Sequence, residues 1–146
     1  MIRRTNVADL AVPFVIVGAL AYVLLRISYE SLPPFQWFTL LPIAALAVLE
    51  AVVARRVRSA VRHRLDAKPM TALAIARAVA LAKASAIGAA AVAGGSLALI
   101  LRVLPDAGRT DAAGHDLRVG VGLLIVSIAL GAIALVLERA GIDPNR

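Results

Sequence analysis

No cysteine occurs among the 146 residues, which removes disulfides, thiolate metal sites and cysteine nucleophiles at once. Histidine is nearly as scarce, with two copies, and neither His63 nor His115 falls inside an apolar stretch. Ser85, Ser96 and Ser127 therefore lack the base that would activate a serine nucleophile. No paired aspartates lie near the cytoplasmic edge of the apolar stretches to hold a metal for phosphotransfer. Gly94-Gly95-Ser96 is not a phosphate loop, because no lysine follows it. No room remains for a separate soluble catalytic domain. The expectation from these absences is a protein that is not an enzyme, with no cofactor and no metal.

What is present is apolar. Hydrophobic residues make up 61% of the chain and the mean hydropathy is +0.87, beyond the usual range of a soluble domain. Residues 10–25, 31–49, 84–101 and 119–137 each run without a charge. A membrane span needs roughly 20 mostly apolar residues, and with their flanks all four stretches qualify. The sequence thus predicts an all-α integral membrane protein, a four-transmembrane-helix bundle forming one domain over 1–146. Its spans are expected at about 8–27, 36–54, 78–103 and 118–138. A basic link occupies 55–69, and two external links occupy 28–35 and 105–117. Ala19-Leu20-Ala21 has the small-x-small form of a signal cleavage site. The apolar run continues past it to Leu25, so this segment reads as a retained helix.

The net charge is +7, and its placement decides what it means. Arg3 and Arg4 precede the first span. Arg55, Arg56, Arg58, Arg62, Arg64 and Lys68 lie between the second and third, and Arg139 and Arg146 follow the fourth. These outnumber Arg26, Arg102, Arg109 and Arg118 near the opposite ends. The positive-inside rule then places both termini and the basic link of this multi-pass protein on the cytoplasmic side. Positive charge at span ends meets lipid headgroups, each residue contributing about 1 kcal/mol near an anionic surface. That reading displaces nucleic-acid binding, since no folded domain exists to present a basic face. The link from Arg55 to Lys68 holds its loop inside, and it can also dock anionic lipid or an acidic partner.

Tyr29, Phe35, Trp37 and Phe38 gather around the first link and the start of the second span, as an interfacial aromatic belt does. Pro33 and Pro34 enforce an extended turn there. The shortness of this link predicts that the first two helices are antiparallel neighbours. The third helix is expected to run unbroken from Thr71 to Leu104, longer than the bilayer core at 1.5 Å per residue. Within it, Ala86, Ala90 and Gly94 form a small-xxx-small row, and Ala91 with Gly95 a second. Ser127 and Gly131 give the fourth span a matching pair. Small residues let backbones approach where lipid provides no hydrophobic drive, so these positions predict the seam between helices three and four.

Glu50 is the one acidic residue set well inside an apolar stretch. A buried carboxylate is costly unless paired, and Arg77 and Lys83 lie near the same end of the third helix. The expectation is an intramembrane polar cluster of Glu50, Arg77, Lys83 and Ser85, with Glu50 contacting Lys83 or Arg77. Such a carboxyl either pins two helices together or couples proton movement to transport. In the second external link, Asp111, His115 and Asp116 have ligand chemistry. They do not make a metal site, because the other histidine, His63, lies across the membrane.

Leu32-Pro33-Pro34-Phe35-Gln36-Trp37, opening the second span, and Ala76-Arg77-Ala78-Val79-Ala80-Leu81-Ala82-Lys83-Ala84-Ser85 in the third carry a family resemblance. The chain resembles the actinobacterial membrane family called domain of unknown function 3180, over nearly its whole length. The resemblance implies a plasma-membrane protein from an actinobacterium, often encoded beside folate-biosynthesis genes. It implies no activity. Taken together, the expectation is a non-enzymatic accessory or interaction subunit of an envelope complex, bound to a membrane protein partner or to itself. The alternative is a small ion-coupled carrier acting as an oligomer, with Glu50 as the coupling carboxylate.

Overall fold

A computed structural model describes residues 5–33, 35–61 and 70–141. Four long helices account for most of them: α1 Val7–Ser28, α2 Leu40–Val61, α3 Ala72–Val103 and α4 Asp111–Ala140. Among the described residues there is no strand. All four helices are long and apolar enough to cross a membrane. Pro34, Arg62, Arg64 and Lys68 lie outside the described residues, as do Arg3, Arg4 and Arg146.

The helix ends follow local chemistry. Asp9 accepts a hydrogen bond from the Asn6 backbone N–H at 2.9 Å, answering one of the orphan donors at the start of α1. Thr71 and Thr110 cap α3 and α4, accepting from Ala74 N at 3.2 Å and Ala113 N at 3.3 Å; such caps contribute about 1 kcal/mol. The Thr110 cap also corrects an expectation. The link expected to run to 117 is helical from Asp111 onward.

The helices stand in a row, α1 on α3, α3 on α4, α4 on α2. Contacts down α4 fix the register. Gly120 meets Leu99 and Ile100 of α3, and Gly131 meets Ala89, so these two helices are antiparallel. Gly122 approaches Leu40 and Trp37, Leu130 packs with Ala47, and Leu137 with Ala54 and Val57. Helices α2 and α4 therefore run parallel, as do α1 and α3, where Gly18 lies on Gly94 and Leu25 on Ala98.

The first two helices are not the packed neighbours that the link predicted; they sit at opposite ends of the row. Residues 29–39 join them, and at up to about 3.3 Å per residue such a segment can cross the two intervening helix ends. It is anchored on the way over. We call this the aromatic end, and the opposite one the basic end.

The small-residue row also divides differently from the prediction. Gly94 is buried against Phe14 and Gly18 of α1, backbone on backbone, and Gly95 faces Val17 of the same helix. Gly94 and the Ala91–Gly95 row thus serve α1 rather than α4. Ala86 is buried and Ala90 half-buried on the same helix. The α3–α4 seam uses Ala78, Ala82, Ala89, Leu99 and Val103, all buried, with Ser85 on the same stripe between Ala82 and Ala89. Gly131 does lie in that seam, where a Cβ added to it would stand 3.6 Å from the Ala89 side chain, and Ser127, one turn earlier on α4, is buried.

Candidate functional site

Three polar groupings interrupt this apolar row. The first is Glu50. It continues the buried face of α2 that contains Ala47, Ala54 and Val57, and its own exposure is 0%. The parallel register with α4 sets it level with Ala134, which is also fully buried. From α3, Ser85 is the polar side chain that faces it. Neither carboxyl oxygen nevertheless has a hydrogen-bond partner of ordinary geometry. Buried alanines of three helices surround the carboxyl: Ala47 and Ala54 on α2, Ala82 and Ala89 on α3, and Ala134 on α4. Unpaired polar groups in such surroundings cost about 1–3 kcal/mol, more when charged.

The predicted cluster around Glu50 does not assemble. Arg77 is exposed, and Lys83 turns to another carboxylate, Glu138 of α4, with its Nζ at 3.9 Å from Oε1. Only Ser85 of the expected partners faces Glu50. The reason is rotational. Ser85 is on the stripe of α3 that faces α4, whereas Arg77 and Lys83 are each displaced from it by roughly 100° or more at 3.6 residues per turn.

Glu138 is the second grouping, and sequence reasoning missed it. It is only 3% exposed and also accepts a hydrogen bond from the Thr5 backbone N–H at 2.8 Å. The basic end is thereby tied across three segments: the approach to α1, the body of α3 and the end of α4. Arg55, Arg56 and Arg58 continue α2 at this end, all exposed. They are free of the bundle core, where a headgroup or an acidic surface could reach them.

The third grouping lies at the aromatic end and is centred on Asp116, 3% exposed. The Tyr29 hydroxyl donates to its Oδ2 at 2.7 Å, and the Phe35 backbone N–H donates to its Oδ1 at 3.0 Å. Next to it, His115 Nε2 lies 2.9 Å from the Phe35 carbonyl oxygen. A carbonyl can only accept, so Nε2 is the donor. The Trp37 ring meets His115 edge-on, centroids 6.2 Å apart. These contacts hold the crossing segment on the start of α4. Among the described residues no group of three or more His, Cys, Asp or Glu could hold a metal ion; His115 and Asp116 are engaged with the segment, and Asp111 is exposed.

A signal for the burial of both acids exists in the sequence. Asp116, Gly120, Leu123, Ser127, Gly131, Ala134 and Glu138 follow one another at spacings of three or four. That is one stripe of α4. Extending the Ser127–Gly131 pair in both directions reaches an acid at each end.

Against known proteins the chain matches no curated protein and no solved structure. A family described as "Protein of unknown function (DUF3180)" does match, over residues 10–144. That span includes all three polar groupings apart from the Thr5 contact, and nearly all of the four helices. By this match the chain belongs to the DUF3180 family of proteins of unknown function.

Proposed function

We propose that this is a non-enzymatic subunit of a bacterial plasma-membrane assembly, docking other membrane protein segments against the outer helices of its row. The single observation behind the reading is the one-sided packing of α1. Among the described residues its extensive helix packing is on α3, and of its residues only Leu25 is buried. Ile16, Leu20, Val23 and Ile27 are 53–78% exposed on the side away from the Phe14–Gly18 seam. Association in a bilayer depends on close packing and polar contacts rather than on apolar burial, and α1 leaves a whole face for it. The exposed Arg55, Arg56 and Arg58 offer an acidic partner a second point of attachment.

The test is photo-crosslinking in native membranes from probes at Leu20 and Val23, followed by mild-detergent purification and mass spectrometry. A stoichiometric membrane protein crosslinked at those positions, a second copy of the chain included, supports the subunit reading. Crosslinks to lipid alone overturn it.

Glu50 supports a second reading, an ion-coupled carrier. Its carboxyl is fully buried with both oxygens unpartnered, and intramembrane acids of this kind recur on proton pathways. Glu50→Gln keeps shape and burial. Intact assembly with loss of a pH-driven flux in proteoliposomes would favour the carrier. Unchanged behaviour in both assays would remove it.

A further inference from the structure

A groove of about 570 Å³ runs between α1 and α3 in the half of the bundle nearest the aromatic end. Val17, Leu24, Ala91 and Gly95 form its walls, and Leu123 of α4 lies behind them. Two serines line it as well, but the Ser96 hydroxyl is spent on the Val92 carbonyl of its own helix at 2.7 Å. Gly95 keeps the groove open: a Cβ there would meet only Val17, at 3.9 Å. Along α1 the lining extends from Val17 to Ser28, about 16 Å of helix at 1.5 Å per residue. That is about half of a hydrocarbon core roughly 30 Å thick, one leaflet deep.

An apolar groove alone selects nothing in a membrane, because lipid tails are as apolar as its walls. The selective element stands just beyond it. Arg102 continues the stripe Ala91–Gly95–Leu99 by one turn, and its guanidinium lies 5.0 Å from the centroid of the Tyr29 ring, the residue after groove-lining Ser28. Its Nη1 donates to Asp106 at 3.2 Å. The other guanidinium N–H groups have no acceptor among the described residues, although the side chain is only 24% exposed. Arg109 draws on the same Asp106, at 3.9 Å, so two cations share one carboxylate at the groove mouth. A planar fork with unused donors is suited to phosphate oxygens.

We infer that this groove is a phospholipid site, with one acyl chain between α1 and α3 and the phosphodiester on Arg102. The occupant is a lipid and not a helix. Leu32 and Phe35 close in on the aromatic end of the groove, and a spanning helix about 10 Å across would have to displace them. An acyl chain enters sideways and needs only a leaflet's depth.

The experiment uses the full chain purified in mild detergent and read by native mass spectrometry with added phosphatidylglycerol. Wild type should retain one phospholipid. Gly95→Leu, which fills the groove, and Arg102→Gln, which removes the fork, should each reduce occupancy on the order of fivefold or more. Gly88→Leu should not, since nothing lies within 4 Å of that position. To separate lost binding from a displaced α1, phosphatidylglycerol carrying a diazirine in its acyl chain is photolysed with the unmodified protein in vesicles. Labelling concentrated on the α1 segment around Val17 and Leu24 is expected. Equal occupancy in wild type, Gly95→Leu and Arg102→Gln overturns the site. So does labelling spread evenly over all lipid-facing helices, or a protein crosslink at the groove in place of lipid.

Discussion

Replacing Gly94 by alanine adds one methyl group at the place where α1 and α3 touch backbone to backbone. A Cβ there would collide with the Phe14 carbonyl oxygen and lie 3.0 Å from its carbon and 3.2 Å from Gly18 N. None of these atoms belongs to a side chain that can rotate aside, so α1 as a whole must move. Overpacking of this kind costs about 1–3 kcal/mol. Gly88 supplies the control within the same helix, because a Cβ there meets nothing within 4 Å. Alanine gains about 1 kcal/mol over glycine in helix propensity at either site. That gain cancels between the two variants, and their difference reads the clash alone. Gly94→Ala should therefore be less stable than Gly88→Ala by about 1–3 kcal/mol in detergent unfolding. The absence of cysteine permits a direct geometric readout. A Val17→Cys/Gly95→Cys pair spans the seam, where Val17 Cγ1 is 3.9 Å from the Cβ position of residue 95. Oxidation in membranes should form the crosslink efficiently with Gly88→Ala and poorly with Gly94→Ala. If Gly94→Ala crosslinks and unfolds like Gly88→Ala, the close α1–α3 approach is wrong.

Glu50→Met keeps the length of the side chain and removes two unpartnered oxygens, so unfolding in detergent should show stability unchanged or raised by about 1–3 kcal/mol; a loss beyond 1 kcal/mol would mean that the carboxyl holds helices together. Asp116→Ala strands the Tyr29 hydroxyl and the Phe35 N–H, at a cost of about 1–3 kcal/mol, whereas Tyr29→Phe should cost only about 1 kcal/mol. Hydrogen exchange at the Phe35 amide should accelerate in Asp116→Ala and stay slow in Tyr29→Phe; the same rate in both would refute the clamp. Glu138→Gln retains an acceptor for Thr5 and loses only the charge facing a part-exposed Lys83, so its effect should stay below about 1 kcal/mol. Glu138→Leu removes the acceptor too and should be clearly less stable by thermal unfolding; equal melting of the two variants would show that the Thr5 hydrogen bond contributes nothing.

The class of fold was legible because a bilayer imposes it. Four stretches long enough to span and poor in charge leave the backbone no alternative to helices, and threonines at 71 and 110 mark where two of them begin. The lipid-exposed faces and the exposed Arg55, Arg56 and Arg58 also follow from residue type alone. The order of the row did not. Whether α1 lies beside α2 or across from it depends on the crossing segment, whose anchor is Asp116, 81 positions away from Phe35. The partner of each buried charge was equally hidden. Glu50, Lys83 and Glu138 have similar access by sequence distance, and only the rotation of α3 about its axis turns Ser85 to Glu50 and Lys83 to Glu138. Periodicity gives a helix its faces, but small-residue stripes fit more than one neighbour. Which neighbour takes the glycine face was settled by how closely two backbones could meet, and that is a property of the packed bundle alone.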